Sequence, residues 1–288
     1  MSSSPPVTPV ALSARLFMWA ACVFVAAAGV SLFLLSEQTS AFFAWTIKPP
    51  ITAAFLGCGY LAVATALALG LRDSDWALVR VGVWVVATGL VSILIATLLH
   101  LDKFHLHSPI WTAKAWAWSW LFLYVALVPG LLAALWSQWR QPAAAPTSGT
   151  ALPAGLRVLQ WLLGGLMAVM GAALFLAPGS AEQIWPWSLT PLTARMVGSF
   201  YLAFGVSLFA AARENDYARI RVASFAYVVF AVLQLVTALR YPVVDWRTLP
   251  GLLLAAVLLA LFAIGSIGVR GALKAHHRRV HTAGQFFR

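Results

Sequence analysis

The chain has 288 residues, 62% of them hydrophobic and 9% charged, with a formal net charge of +11 and a mean hydropathy of +0.87. A soluble domain carries roughly 25% charged residues, and so few charges cannot cover a water-facing surface, which excludes a soluble fold. The positive balance does not point to nucleic acid, because the basic residues lie between apolar runs instead of forming one patch.

A membrane-crossing helix needs about 20 apolar residues in succession. Eight runs qualify: 16–35, 53–71, 78–99, 116–136, 156–177, 195–212, 220–239 and 249–269. They are continuous and rich in Ala and Leu, whereas barrel strands would be shorter and would alternate in polarity. Helices are therefore predicted. The first run is longer than a secretory apolar core and has only Arg15 shortly before it, so it reads as a retained helix. Cys22 and Cys58 lie inside runs without Cys-x-x-Cys spacing, and read as small packing residues.

After the first run comes Trp45–Pro49, which returns after the fifth as Trp187–Pro191. Proline suits the first turn of a helix, Thr190 is placed to cap the helix that follows, and tryptophan suits the headgroup region. A belt of interfacial tryptophans is expected, with substrate stacking as the alternative. After the second and sixth runs comes an Arg-Asp/Glu-x-Asp-Trp/Tyr-Ala-x-x-Arg motif. It comprises Arg72, Asp73, Asp75, Trp76 and Arg80, then Arg213, Glu214, Asp216, Tyr217 and Arg221. Its carboxylates and guanidinium groups are able to pair as a binding site or gate. The structural alternative has the acids capping helices and the arginines setting topology.

The third run is followed by His100, Asp102, Lys103, His105 and His107. Neutral imidazoles are common metal ligands, and haem iron needs one or two of them. The spacing matches no strong metal motif, Lys103 and Lys114 lie nearby, and the second half has Tyr241, Pro242 and Asp245 in the corresponding region. His100, His105 and His107 are thus either a metal or haem site or an unconstrained loop. No Asp, Glu, Lys or Arg falls midway along a run, which weakens a proton-driven pump or an ion channel. Gln234, Tyr60 and Tyr201 are candidate ligand contacts, Gln234 otherwise bonding to a neighbouring helix. Gly57, Gly59, Gly164, Gly165, Gly198 and Gly205 are expected at close helix contacts. Phosphate-loop, His-Glu-x-x-His and Gly-x-Ser-x-Gly motifs are absent from the sequence.

The strongest pattern is internal. Residues 50–81 align with 191–222 without gaps, with 13 identities in 32 positions that include Pro50/Pro191, Gly57/Gly198, Tyr60/Tyr201, Arg72/Arg213, Asp75/Asp216 and Arg80/Arg221. Upstream, Arg15/Arg157, Gly29/Gly171, Phe33/Phe175 and Trp45/Trp187 align at an offset one residue larger. Two four-helix units follow, residues 14–137 and 155–269. They are joined by a Pro- and Gly-containing linker, 138–154, and followed by a basic tail, 270–288. An even number of crossings per unit makes the repeat parallel. The fold expected is an all-α integral membrane protein, with eight transmembrane helices in two tandem parallel four-helix repeats. With the N-terminus inside, 13 Lys and Arg fall inside and 6 outside, which places both termini in the cytoplasm. The tail, with His276, His277 and His281 among its Lys and Arg, reads as solvated and able to touch anionic headgroups.

The segments FAWTIKPPITAAFLG, LLHLDKFH and WPWSLTPLTARMVG resemble stretches of multi-pass bacterial membrane proteins without an assigned function. The resemblance implies a bacterial cytoplasmic membrane and supplies neither an activity nor site residues.

The function expected first is binding or transport of a small apolar or amphipathic molecule between the two repeats. The alternatives are a non-catalytic subunit of a membrane complex and a metal- or haem-dependent redox protein. Enzymatic activity is not favoured and no cofactor is specified. The lipid bilayer is the expected partner, then another membrane protein or a small apolar ligand, and not nucleic acid.

Overall fold

The computed structural model describes residues 9–73, 75–139 and 150–285. The described residues form ten α-helices in chain order: α1 Leu12–Leu34, α2 Thr39–Phe42, α3 Pro50–Gly70, α4 Trp76–Leu99, α5 Trp111–Trp139, α6 Ala154–Leu176, α7 Ala181–Ile184, α8 Pro191–Glu214, α9 Tyr217–Arg240 and α10 Leu249–Gln285. Eight of them are long and apolar enough to cross a membrane, and the chain is a multi-pass membrane protein of all-helical class. The short α2 and α7 shape the loops at one end of the bundle. The other end carries the two arginine motifs and is called the basic end below.

Helix ends follow local chemistry. Pro50 and Pro191 open α3 and α8, where a missing amide hydrogen costs nothing. Thr190 caps α8 by accepting from the Thr193 amide at 3.3 Å, and Asp216 caps α9 by accepting from the Ala218 amide at 2.8 Å. α8 stops at Asn215, whose φ of 49° lies in the left-handed region.

Three expectations change. α10 continues to Gln285, so the segment read as a solvated tail begins as helix. No proline separates Val269 from Ala275, and the helix runs on through Gly271, where the glycine is used for close contact with Tyr217. The side chains of His276, His277 and His281 lie outside the described residues, as does most of the linker (140–149). Trp45 and Trp187 do not face outward as belt residues would: they are 2% and 8% exposed. The Trp187 indole donates to Thr52 Oγ1 at 2.8 Å, and Trp45 packs against Phe43, Phe104 and Trp120. Trp19, Trp84, Trp111, Trp118, Trp136 and Trp161 do face outward. Gly165 does not sit at a close contact, since a Cβ there would meet nothing within 4 Å.

α3 and α8 form the centre. In each, 72% of the apolar window is buried, against 24% in α5 and 33% in α10. The outer helices turn Leu16, Trp19, Val23, Phe122 and Leu259 outward, as lipid permits. Lipid supplies little hydrophobic force between helices, so close approach at small residues must hold them together. α1 packs on α3, where a Cβ at Gly57 would lie 2.7 Å from the Phe33 amide nitrogen and 3.0 Å from the Gly29 carbonyl oxygen. α6 packs on α8, where a Cβ at Gly198 would lie 2.7 Å from the Gly171 carbonyl oxygen and 3.0 Å from the Phe175 amide nitrogen.

The third helix of each half crosses over. α3 packs mainly against α1 and α9, and α8 mainly against α6 and α4, while the α3–α4 and α8–α9 contacts are slight. The halves are therefore interlocked through the core.

Candidate functional site

The two arginine motifs pair across the halves at the basic end. Arg80 donates from Nε and Nη2 to the two carboxylate oxygens of Glu214, both at 2.6 Å. Arg221 donates from Nη2 to both oxygens of Asp73, at 2.9 and 2.8 Å. Each half thus supplies one arginine and one acid to the other. The carboxylates are the more buried partners, with side-chain exposures of 14% each against 35% for Arg80 and 29% for Arg221. Arg219 adds a second cation to Glu214 at 2.8 Å. Beneath the clasp, Arg15 donates to the Asp73 carbonyl and Arg157 to the Ala212 carbonyl, at 3.1 and 3.3 Å. Arg72 and Arg213 are exposed and stand apart from the clasp. Asp216 is taken up by capping, and Asp75 forms an isolated bridge with Pro9. Of the motif residues, Arg80, Glu214, Arg221 and Asp73 are brought together as two cross-paired ion pairs.

The histidine segment is divided. His105 is held at both ring nitrogens, Nδ1 by the Phe43 carbonyl and Nε2 by Thr46 Oγ1, each at 3.0 Å. Its amide also donates to the Ala44 carbonyl at 2.8 Å. His107 is exposed. His100 turns to the second half, its Nε2 lying 2.7 Å from Arg195 Nη1. Among the described residues, no three His, Cys, Asp or Glu side chains gather as a metal set. The imidazoles of His105 and His100 are engaged in loop and inter-half contacts.

An arginine donates only, so His100 Nε2 accepts and its proton sits on Nδ1. Burial lowers the His100 pKa from its ordinary 6.5, Arg195 and Lys103 lower it further, and Asp102 opposes them. The folded state then binds fewer protons than the unfolded chain below about pH 6.5. The stability this contact contributes is present above that value and fades as pH falls from there toward the lowered folded pKa. Thermal unfolding midpoints should drop more between about pH 7 and pH 5 in the wild type than in His100→Gln. Superimposable profiles would show that another group is responsible.

Gln234, Tyr60 and Tyr201 lie on core interfaces. Gln234 Nε2 donates to the Phe55 carbonyl at 3.0 Å, joining α9 to α3. Cys58 and Thr237 touch at 3.3 Å nearby. Tyr60 and Tyr124 share a hydroxyl–hydroxyl bond of 2.8 Å. Tyr201 is fully buried among Phe55 and Trp185, and its hydroxyl and the Trp185 indole nitrogen have no hydrogen-bond partner among the described residues.

Two apolar cavities lie against the helices of the first half. One cavity at the basic end, with an empty volume of about 570 Å³ counting its open mouth, is lined by Phe17, Met18, Trp76, Gly82, Val83 and Leu135, among others. A second, of about 510 Å³ on the same count, reaches Tyr60, Tyr124 and Phe200 at its inner wall. Both include Leu67 and Val86, so they form one slot between α1, α3, α4 and α5. Gly82 opens it: a Cβ there would meet nothing within 4 Å. Pro129 lies inside α5, shortly before Leu131 and Leu135 of the slot wall. It leaves the Val125 carbonyl without its helical donor.

The slot had no signature in the sequence, because Ala, Val, Leu and Gly line it and also fill every other apolar run. The clasp was closer to legible: the motif recurs with an acid near its start, Asp73 or Glu214, and an arginine at its end, Arg80 or Arg221, which is what reciprocal pairing requires. Compared with protein-family models, with curated proteins and with solved structures, the chain shows no match.

Proposed function

We propose that this membrane protein binds the acyl chain of a membrane amphiphile in the slot between α1, α3, α4 and α5. One contrast between the halves carries this reading. In the second half, Tyr217 and Ser224 are covered by α10. The Tyr217 ring lies directly on Gly271 and the Ser224 hydroxyl on Gly268, so closely that neither glycine has room for a Cβ. Trp76 and Val83 occupy the aligned positions of the first half, and they line the open slot. The seam sealed by glycines in one half is thus available to a ligand in the other. The expectation of a site between the halves moves accordingly to a site within the first, with Phe200, Ala203 and Val222 of the second as part of its wall.

The same reading treats the halves as a tandem parallel repeat related by a pseudo-two-fold axis, supported by the aligned identities and by the paired glycine contacts. It places the protein in a bacterial cytoplasmic membrane with the basic end inside, supported by the Lys and Arg bias. Gln234, Tyr60 and Tyr201 serve to hold the core in this reading, and the clasp ties the halves at the cytoplasmic side.

Gly82→Leu tests it, because Gly82 lines the slot and a Cβ added there meets nothing within 4 Å. Binding of cis-parinaric acid, a fluorescent fatty acid, should weaken at least tenfold in this variant, while its unfolding temperature stays at or above that of the wild type. Equal affinity in a folded Gly82→Leu protein would sink the proposal.

A further inference from the structure

We infer that the second half carries a separate site for the phosphate of an anionic phospholipid, where α10 leaves the membrane. A cleft of about 710 Å³ empty volume, counting its open mouth, lies between the start of α9 and this stretch of α10, lined by Arg270, Lys274, Tyr217, Thr150 and Ile267 among others. Arg270 and Lys274 are one helical turn apart and share a face of α10. Neither makes an ion pair among the described residues, and no acidic side chain lines the cleft. The acids nearest in sequence are engaged: Asp216 accepts from the Ala218 and Arg219 amides, and Glu214 pairs with Arg80 and Arg219. The cleft is also built, not incidental. Gly271 lets the Tyr217 ring lie against α10 between the two cations, and the Tyr217 amide donates to the Thr150 carbonyl at 3.2 Å.

The position selects the ligand. Arg270 and Lys274 fall within the last apolar span, Leu249–Ala275, at its end, which is the depth of lipid phosphate. Ile267 and Ala275 give the cleft apolar wall beside its charge, suiting a headgroup with chain attached over a free anion. Basic clefts at such boundaries attract anionic lipid, with each cation contributing through field and hydrogen bonding. The site shares no lining residue with the slot of the first half, so the two readings stand or fall separately.

The test adds phosphatidylglycerol or phosphatidylcholine to the full chain in neutral detergent and reads the unfolding temperature. Phosphatidylglycerol should raise it in a saturable manner and phosphatidylcholine should not. Arg270→Gln/Lys274→Gln should need at least tenfold more phosphatidylglycerol for the same rise. Both side chains are exposed, so glutamine there leaves packing intact. Arg278→Gln/Arg279→Gln should respond like the wild type, as should Gly82→Leu. As a second measurement, salt should weaken the wild-type response, as a charge contact requires. The inference is overturned if phosphatidylcholine acts equally or if inorganic phosphate alone reproduces the rise. It is also overturned if the Arg278 and Arg279 pair matters as much as Arg270 and Lys274.

Discussion

Gly57→Val and Gly198→Val are each expected to cost roughly 3 kcal/mol or more, the upper range for overpacking, and to leave little folded protein in detergent. At both positions the atoms that a Cβ would strike belong to backbone: the Phe33 amide and Gly29 carbonyl in one case, the Gly171 carbonyl and Phe175 amide in the other. No flexible side chain can retreat, so the helix axes must separate. The affected pairs, α1–α3 and α6–α8, are the most extensively packed seams within each half. Separation is costly in lipid because dispersion contact at small residues is the main attraction between such helices. Gly165→Val is the control, since open space awaits its side chain. The measurement is the fraction of monodisperse protein together with its unfolding temperature. A Gly57→Val protein as stable as Gly165→Val would refute the packing account.

Breaking the clasp comes next in size. Arg221→Ala should destabilise by about 2 kcal/mol, in the range of charge-assisted hydrogen bonds, or roughly 4 °C in unfolding temperature. The partial exposure of Arg221 argues against a larger value. Asp73→Ala should cost a similar amount, and the double variant little more than either single one, because Asp73 and Arg221 act through each other. Arg80→Ala should cost less than Glu214→Ala, since Arg219 remains to partner Glu214. Strict additivity of Asp73→Ala and Arg221→Ala would show that the observed contact contributes nothing to stability.

What the sequence determined by itself was membership in the membrane class, the number and approximate place of the crossings, and several helix ends. The reason is physical. A continuous apolar run of about 20 residues has one satisfactory conformation in lipid, a helix that bonds its own backbone. Proline at a first turn and the caps of Thr190 and Asp216 act within a few residues of themselves. The glycines at 57, 59, 164, 198 and 205 were legible as contact points for the same reason, since lipid-embedded helices meet where side chains are small.

Only the tertiary structure decided which helices meet. Long separations in sequence join Arg80 to Glu214, Arg221 to Asp73, His100 to Arg195 and Gln234 to Phe55, and nothing local selects those partners. The same holds for burial: Trp45 and Trp187 carry the chemistry of interfacial residues, yet the short α2 and α7 and the loops around them fold the indoles into the core. The slot is the extreme case. Val83 in the first half and Ser224 in the second occupy aligned positions. Whether that position faces empty space or a glycine depends on how α5 and α10 approach, a property of packing between distant segments that apolar composition does not encode.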